Sequence, residues 1–229
     1  MNKKAKKYFN YDRFMRLPRY PSQRGGGMYH PSHITYQKGD CKCINCLYWR
    51  PKSGCSQIQC PFIEERVESG DAKFKEVFDD LLYGLNNAEI NNRVTIFIKE
   101  SKEMDIKFNS KSHQERFERT LKGINKKHKA FVAAVYLLTA DRLVWNQCWS
   151  RLQYSDIPLE RIRLHNSNNY GYTLFCAAKD LYLGTKYITI EDLADWSTIS
   201  QREFSLICNA VAIKRYGVNS IYLIDDERR

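Results

Sequence analysis

Five cysteines fall within twenty consecutive residues, and they point to metal chemistry. They are Cys41, Cys43, Cys46, Cys55 and Cys60. Cys43 and Cys46 form a Cys-x-x-Cys pair, and the last two cysteines form a second pair after a short loop. Two pairs of thiolates can approach a tetrahedral ion from two sides. The spacing therefore predicts a zinc site with these two pairs as ligands. Cys41 is then a spare thiol, or an alternate for Cys43.

Two alternatives to this ligand set follow from the same residues. An iron–sulfur cluster is also held by four cysteines, and Cys60-Pro61 is similar to the Cys-Pro that ends some ferredoxin motifs. The spacing matches neither ferredoxin pattern, which favours zinc. His30 and His33, with His-x-x-His spacing, could replace one cysteine as ligands. Four thiolates leave no open coordination position, so we expect a structural site that holds a loop in place.

The remaining cysteines and the first residues bear on redox state. Cys148, Cys176 and Cys208 lie in apolar, helix-like segments, where a free cysteine behaves as a small hydrophobic residue. The chain starts Met-Asn-Lys-Lys-Ala-Lys-Lys without an apolar stretch, and no run approaches the roughly 18 apolar residues of a membrane span. We therefore expect a cytoplasmic protein with reduced thiols and no membrane partner.

The positive charge is concentrated before the cysteines. Residues 1–39 contain nine lysines and arginines and one acid, Asp12, and so carry +8 of the net charge of +11. Seven aromatic residues alternate with these cations, a composition that suits a nucleic-acid strand because cations neutralise phosphates while rings stack on bases. The cations predicted to contact a nucleic acid or another partner are Lys3, Lys4, Lys6, Lys7, Arg13, Arg16, Arg19 and Arg24. The alternative is a solubilising tail.

A second basic segment lies at 122–129, and we include Lys126 and Lys127 in the predicted partner surface. Three prolines and the run Gly25-Gly26-Gly27 exclude a continuous helix before the cysteines, so residues 1–39 should form an extended arm. Residues 40–63 are predicted to form the metal module, and 64–229 an α-helical domain. The predicted fold class is mainly α.

Several local patterns place the helices. Apolar spacing predicts a helix between Glu64 and Leu85 with a turn at Gly70-Asp71, and helix is favoured over strand for 94–98. Capping boxes are predicted for Ser112 with Glu115, and for Ser200 with Glu203. A short capped helix is expected from Thr189 and Asp192, and Gly184 should end another helix. Trp145 and Trp149 should share a buried face, and 220–224 should form a short strand.

The sequence lacks recognisable catalytic motifs. It contains no phosphate-binding loop followed by Lys-Ser/Thr, no Gly-x-Ser-x-Gly and no His-Glu-x-x-His. His113 and His128 are expected at the surface, and His165 is a weak candidate because no carboxylate or nucleophile accompanies it at a readable spacing. We therefore predict that the protein is not an enzyme.

The motif series resembles an uncharacterised cysteine-cluster family of Firmicutes phages and conjugative elements. The matching pieces are Cys43-x-x-Cys46, Gly54-Cys55, Cys60-Pro61, Ile63-Glu64-Glu65-Arg66, Leu138-Thr139-Ala140-Asp141 with Trp145, Tyr172-Thr173-Leu174-Phe175 with Ala177-Ala178-Lys179, and Arg215-Tyr216-Gly217. The resemblance implies a genetic context and no residue role. Accessory genes of mobile elements often encode inhibitors of host defence, anti-CRISPR proteins among them.

Two hypotheses result. The first is a non-catalytic, zinc-stabilised binding protein that contacts nucleic acid or a host nucleoprotein, most concretely an anti-defence inhibitor of the anti-CRISPR type. The second is an enzyme acting on nucleic acid through an iron–sulfur or reactive-cysteine site, with Cys41 as its uncommitted thiol. The missing catalytic motifs favour the first.

Overall fold

The fold is mainly α-helical, as predicted. A computed structural model of the chain describes residues 36–46, 48–103 and 107–223. The chain divides into two compact units, with the boundary between Asp80 and Leu81. We call residues 36–80 the cysteine unit and residues 81–223 the helical unit. The predicted extended arm, its cations up to Arg24, and His30 and His33 lie outside the described residues.

The cysteine unit contains short elements only. These are a 3-10 turn at Cys43–Asn45, strands β1 (Trp49–Arg50) and β2 (Gly54–Cys55), and helices α1 (Ile63–Ser69) and α2 (Phe74–Leu81), the last of which crosses the unit boundary. The strands pair antiparallel, with Trp49 opposite Cys55. The predicted turn at Gly70 is confirmed: the residue has φ +76° and ends α1 in the left-handed conformation that glycine adopts without steric cost.

The helical unit is built around one apolar helix. Its helices are α3 (Ala88–Glu103), α4 (Lys111–Leu121), α5 (Lys129–Ala140), α6 (Arg142–Cys148), α7 (Asn169–Leu183), α8 (Ile190–Ala194) and α9 (Gln201–Tyr216), with 3-10 turns at Trp149–Arg151, Leu159–Arg161 and Val218–Tyr222. Every residue from 131 to 140 is buried, and α5 packs mainly against α7 and α9. Among the described residues, the helices are too short or too polar to cross a bilayer.

Most of the predicted helix ends are confirmed. Thr189 with Asp192 and Ser200 with Glu203 form capping boxes, in which each side chain bonds the other residue's backbone N–H. Gly184 ends α7 with φ +73°. Residues 94–98 lie inside α3, so helix was the right choice for this segment.

Four predictions about the helical unit are wrong. Helix α4 is capped by Ser110, whose side chain accepts from the N–H of His113, so Ser112 lies inside the helix. His113 itself is fully buried. Trp149 is 61% exposed because the helix gives way to a 3-10 turn there. The predicted strand at 220–224 is a 3-10 turn as far as Tyr222.

Candidate metal centre

Three different local structures carry the two cysteine pairs. Cys43 and Cys46 bracket the 3-10 turn, in which the N–H of Cys46 donates to the oxygen of Cys43 at 2.9 Å. Cys55 ends β2, after Gly54 takes φ +73° to close the hairpin. Cys60 precedes α1 and accepts, through its backbone oxygen, from the N–H of Ile63 at 3.3 Å. The 3-10 turn, the hairpin and the start of α1 thus bring Cys43 and Cys60, which are 17 positions apart in sequence, into the same region.

The cysteines line one cavity of about 210 Å³ in the cysteine unit. Its wall contains the sulfur-bearing residues Cys41, Cys43, Cys46, Cys55 and Cys60, together with the charged residues Arg66, Glu76, Asp79 and Asp80. Cys43, Cys46 and Cys60 are half-buried and Cys55 is exposed, and none of these four forms a disulfide. The four cysteines that were selected by their spacing therefore do lie on one cavity wall.

The ligating geometry itself is not formed. Across residues 36–46, 48–103 and 107–223, no three His, Cys, Asp or Glu side chains are placed to hold one metal ion. The sulfur atoms surround a common space without forming a coordination sphere. Ligation of zinc by all four would require the cysteine side chains to turn inward toward one point.

A buried arginine faces the thiols. Arg66 is 6% exposed, and its Nη1 donates to the sulfur of Cys60 at 3.8 Å. Its Nη2 donates to a carboxylate oxygen of Glu76 at 2.7 Å and to the backbone oxygen of Asp71 at 3.2 Å. Its Nε is buried without a hydrogen-bond partner in the described part of the chain. The guanidinium thus brings a positive charge and hydrogen-bond donors to a cavity lined by sulfur.

Burial and the neighbouring acids favour the protonated form of two of these thiols. Burial raises the pKa of the Cys43 thiol to about 11, with Arg66 partly opposing the shift and Glu76 adding to it. Burial also raises the pKa of Cys46, helped by the nearby Cys60 and Cys55. Without a cation, therefore, these two thiols stay protonated at neutral pH. Since only thiolates bind zinc, metal binding must release these protons.

Asp71 fixes the chain just before the first pair. Its carboxylate accepts from the backbone N–H of Gly39 at 2.8 Å and of Cys41 at 2.9 Å, and from the hydroxyl of Ser69 at 2.9 Å. These bonds tie residues 39–41 to the turn between α1 and α2. Asp71 thus connects the residues just before the first pair, and Arg66 connects Cys60, to the helical part of the same unit.

Cys41 occupies a different environment from the two pairs. It is 1% exposed and packs against Tyr36, Cys46 and Phe62. A reactive thiol is accessible and lies in an electropositive site. Burial of this kind makes Cys41 a poor candidate for the uncommitted nucleophile of an enzyme.

The other predicted site residues lie elsewhere. Lys126 and Lys127 are exposed in the loop between α4 and α5, within the helical unit. His165 is exposed, and its backbone groups bond the side chain of Gln147. Cys148 and Cys176 are buried as expected, and burial raises the pKa of both thiols and of the half-buried Cys208. These three cysteines therefore act as small apolar side chains.

The polar residues that surround the cavity were not predicted from the sequence. Arg66 and Glu76 received no role from the sequence, and Asp71 was assigned only to a turn. Arg66 and Glu76 are ten residues apart in sequence, so the spacing rules for pairs on one helix do not predict that they bond.

Comparisons with known proteins give no relative to extend this picture. No protein-family model, no curated protein and no solved structure matches the chain.

Proposed function

We propose that this chain is a non-catalytic binding protein of a mobile genetic element, stabilised by zinc, that contacts nucleic acid or a host nucleoprotein. Its most concrete form is an inhibitor of host defence of the anti-CRISPR type. The observation that carries the proposal is the cavity in which Cys43, Cys46, Cys55 and Cys60 share one wall with a buried arginine.

The donor set supports zinc as the ion. Four cysteine sulfurs are the ligand type of closed structural zinc sites, and such a site would hold the turn and the hairpin together without exposing a reactive position. The bound ion would supply folding free energy to a segment that buries little apolar surface. Arg66 would offset part of the negative charge that four thiolates bring to one ion, and its hydrogen bond would orient Cys60.

The partner is argued from charge. The net charge of +11 favours association with polyanions, and most of it belongs to residues 1–39, where cations and rings alternate. A structural metal site next to such a segment in the sequence suits a protein whose function lies in its binding surfaces.

Binding of the full chain to labelled single-stranded and double-stranded oligonucleotides over a range of salt concentrations tests this proposal. We expect affinity to fall steeply with salt, and a chain lacking residues 1–24 to bind more weakly with a shallower slope. Equal affinity and slope for the two chains would remove the role assigned to the arm.

Metal content separates the binding protein from the enzyme alternative. Protein purified without added metal should be colourless and carry one zinc per chain, and Cys55→Ser should lose that zinc together with the structure of the cysteine unit. Cys176→Ser in the helical unit is the matched control and should keep the zinc. A brown protein with iron, whose Cys55→Ser variant stays folded and loses only a redox activity, would support the enzyme instead.

A further inference from the structure

The loop before α5 and the end of α9 meet at one surface, although they are far apart in sequence. The Nζ of Lys129 donates to the backbone oxygen of Arg215 at 3.1 Å. The Lys129 side chain also passes Gly217, where a Cβ would come within 3.8 Å of its Cε. These contacts place the basic segment 122–129 next to the last turn of α9.

Both segments are basic. Together they contribute six cations and no acid: Lys122, Lys126, Lys127, Lys129, Lys214 and Arg215. Lys129 is half-buried by its contact with Arg215, and the other five are exposed. We call these six residues the basic surface.

Helix dipoles do not neutralise this charge. The C-terminal end of α9 carries a partial charge of about −0.5, which gives Lys214 and Arg215 a structural role. Helix α5 starts at Lys129, beside the end of α9. Its N-terminal end carries a partial charge of about +0.5, so the two partial charges cancel. The hydroxyl of Tyr182 donates to Asp156 at 2.6 Å, and the Tyr182 ring lies 5.7 Å from that of His128. Within the described residues, no ion pair to a carboxylate holds Lys122, Lys126, Lys127 or Lys214.

An exposed ring lies beside the lysines. The backbone N–H of Asn125 donates to the oxygen of Tyr154 at 2.6 Å, which brings Tyr154 against the loop that carries Lys126 and Lys127. Tyr154 is 66% exposed. A ring that large is available for stacking on a base, while the lysines neutralise neighbouring phosphates. We take the nucleic acid as the occupant because it uses the ring and the cations together, through a base and its neighbouring phosphates.

We infer that the basic surface and Tyr154 form a nucleic-acid-binding site of the helical unit, which contacts the phosphate backbone and stacks one base. This inference rests on the proposed function, because it takes nucleic acid as the partner. It adds that the helical unit binds the strand through its own residues, whatever residues 1–39 contribute. Each lysine that contacts a phosphate adds to the salt dependence of binding, since it releases about one condensed counterion.

The test uses the full chain and a fluorescein-labelled 20-nucleotide single strand, with affinity measured between low and moderate salt. The variant K126Q/K127Q/K214Q should lower the magnitude of the salt slope by about 2, and weaken binding at 0.1 M salt by on the order of a hundredfold. Tyr154→Ser should weaken binding by on the order of tenfold with the slope unchanged, because a stacking contact releases no counterion. The control K99Q/K111Q/K186Q removes the same net charge from exposed lysines of other segments and should leave the slope intact.

The outcomes separate the inference from the proposed function. A wild-type chain without salt-dependent binding to single or double strands would overturn both. Wild-type binding that K126Q/K127Q/K214Q changes no more than the control does would overturn the inference and leave the proposed function standing. Loss of binding to poly-glutamate in that variant, with nucleic-acid binding retained, would assign the surface to an acidic protein and would likewise overturn the inference.

Discussion

Residues 36–60 and helix α5 differ in how much apolar surface they bury. In the first segment Cys41 is the one buried residue among those the structure describes, whereas α5 buries ten in succession, from 131 to 140. Burial of each large apolar side chain contributes roughly 1.5–3 kcal/mol, so α5 and its neighbours have an ordinary hydrophobic core. The cysteine segment has almost none of this contribution.

What replaces the core in the cysteine segment is polar. Asp71 accepts from the backbone of residues 39–41, and the buried Arg66 joins Cys60 to Glu76. Such bonds fix geometry but contribute only about 1 kcal/mol each in net terms. Segment 36–60 therefore has little apolar burial of its own to hold it, whereas α5 lies in an ordinary core, and under the proposed function the metal ion supplies the missing stability.

The largest expected effect is that of metal removal. A chelator should expose the backbone amides of 36–60 to rapid hydrogen exchange and leave those of 131–140 protected, because structural zinc contributes roughly 10–16 kcal/mol to small modules. Hydrogen exchange of the full chain followed by mass spectrometry measures both segments in one sample. Equal loss of protection in both segments, or in neither, would contradict the difference between the units.

The converse experiment removes apolar volume from the helical unit. Leu138 is fully buried in α5, so Leu138→Ala should lower the free energy of unfolding of this unit by about 2–5 kcal/mol. Zinc content should stay unchanged. Ile58→Ala, at a position 89% exposed in the cysteine unit, is the control and should change stability by less than about 0.5 kcal/mol. Thermal unfolding and metal analysis of both variants provide the readouts.

The helical unit should also respond to acid through one histidine. The Nε2 of His113 donates to the oxygen of Tyr136 at 2.9 Å and its Nδ1 accepts from the N–H of Asn109 at 3.0 Å, so the ring is neutral. Burial lowers its pKa from 6.5 to about 3. The unfolded chain therefore binds the proton more readily than the folded chain does. The free energy of unfolding is at its full value above pH 6.5 and decreases as the pH falls toward 3. The decrease between pH 6.5 and 5 should be about 2 kcal/mol.

Substitution checks that assignment. In His113→Gln the slope of stability against pH between 6.5 and 5 should become shallower, even if the variant is less stable overall. Denaturant titrations of wild type and variant at several pH values measure the slopes. An unchanged slope in the variant would show that another group is responsible.

Arg66 offers a test of the polar contacts in the cysteine unit. Arg66→Met removes the cation beside Cys60 together with its ion pair to Glu76, so zinc affinity should fall by about tenfold to a hundredfold. Arg66→Lys keeps the positive charge but lacks the several N–H donors of the planar guanidinium. This variant should therefore retain part of the zinc affinity. Competition with a chromophoric chelator measures the three affinities. If Met and Lys behave alike, the charge of Arg66 does not act on the metal centre.

The smallest effect concerns a helix cap. The side chain of Ser200 accepts from the N–H of Glu203, so Ser200→Ala should cost about 1 kcal/mol in the helical unit. Ser112→Ala is the matched control, because Ser110 and not Ser112 caps α4. Its effect on the free energy of unfolding should be close to zero. A comparable loss in the control would place the cap of α4 at Ser112 after all.

Local signals explain what the sequence could predict. The caps at Thr189, Ser200 and Gly184 depend on residues three or four apart, and all were confirmed. The prediction for α4 failed because Ser110 and Ser112 both suit a cap, and Glu115, three residues after Ser112, favoured the wrong one. The burial of His113 was missed separately. The sequence contains no local record of that burial, since the ring bonds Tyr136, 23 residues away.

The same limit applies to the candidate metal centre. Cysteine spacing predicted a zinc site, which stays a prediction, and the structure places the four cysteines on one cavity wall. Arg66 and Asp71 act across longer separations, and their roles follow only from the folded unit. The strand predicted at 220–224 failed because a strand needs a partner, whereas Ser220 bonds back to Gly217 and forms a 3-10 turn.

X-ray absorption at the zinc edge of the purified full chain tests the central claim most directly. Ligation by Cys43, Cys46, Cys55 and Cys60 predicts four sulfur atoms at about 2.3 Å and no nitrogen or oxygen neighbour. Cys41→Ser should leave that spectrum unchanged, and Cys60→Ser should not. Fewer than four sulfurs around the zinc, with nitrogen or oxygen in their place, or a protein that binds no zinc, would contradict the account.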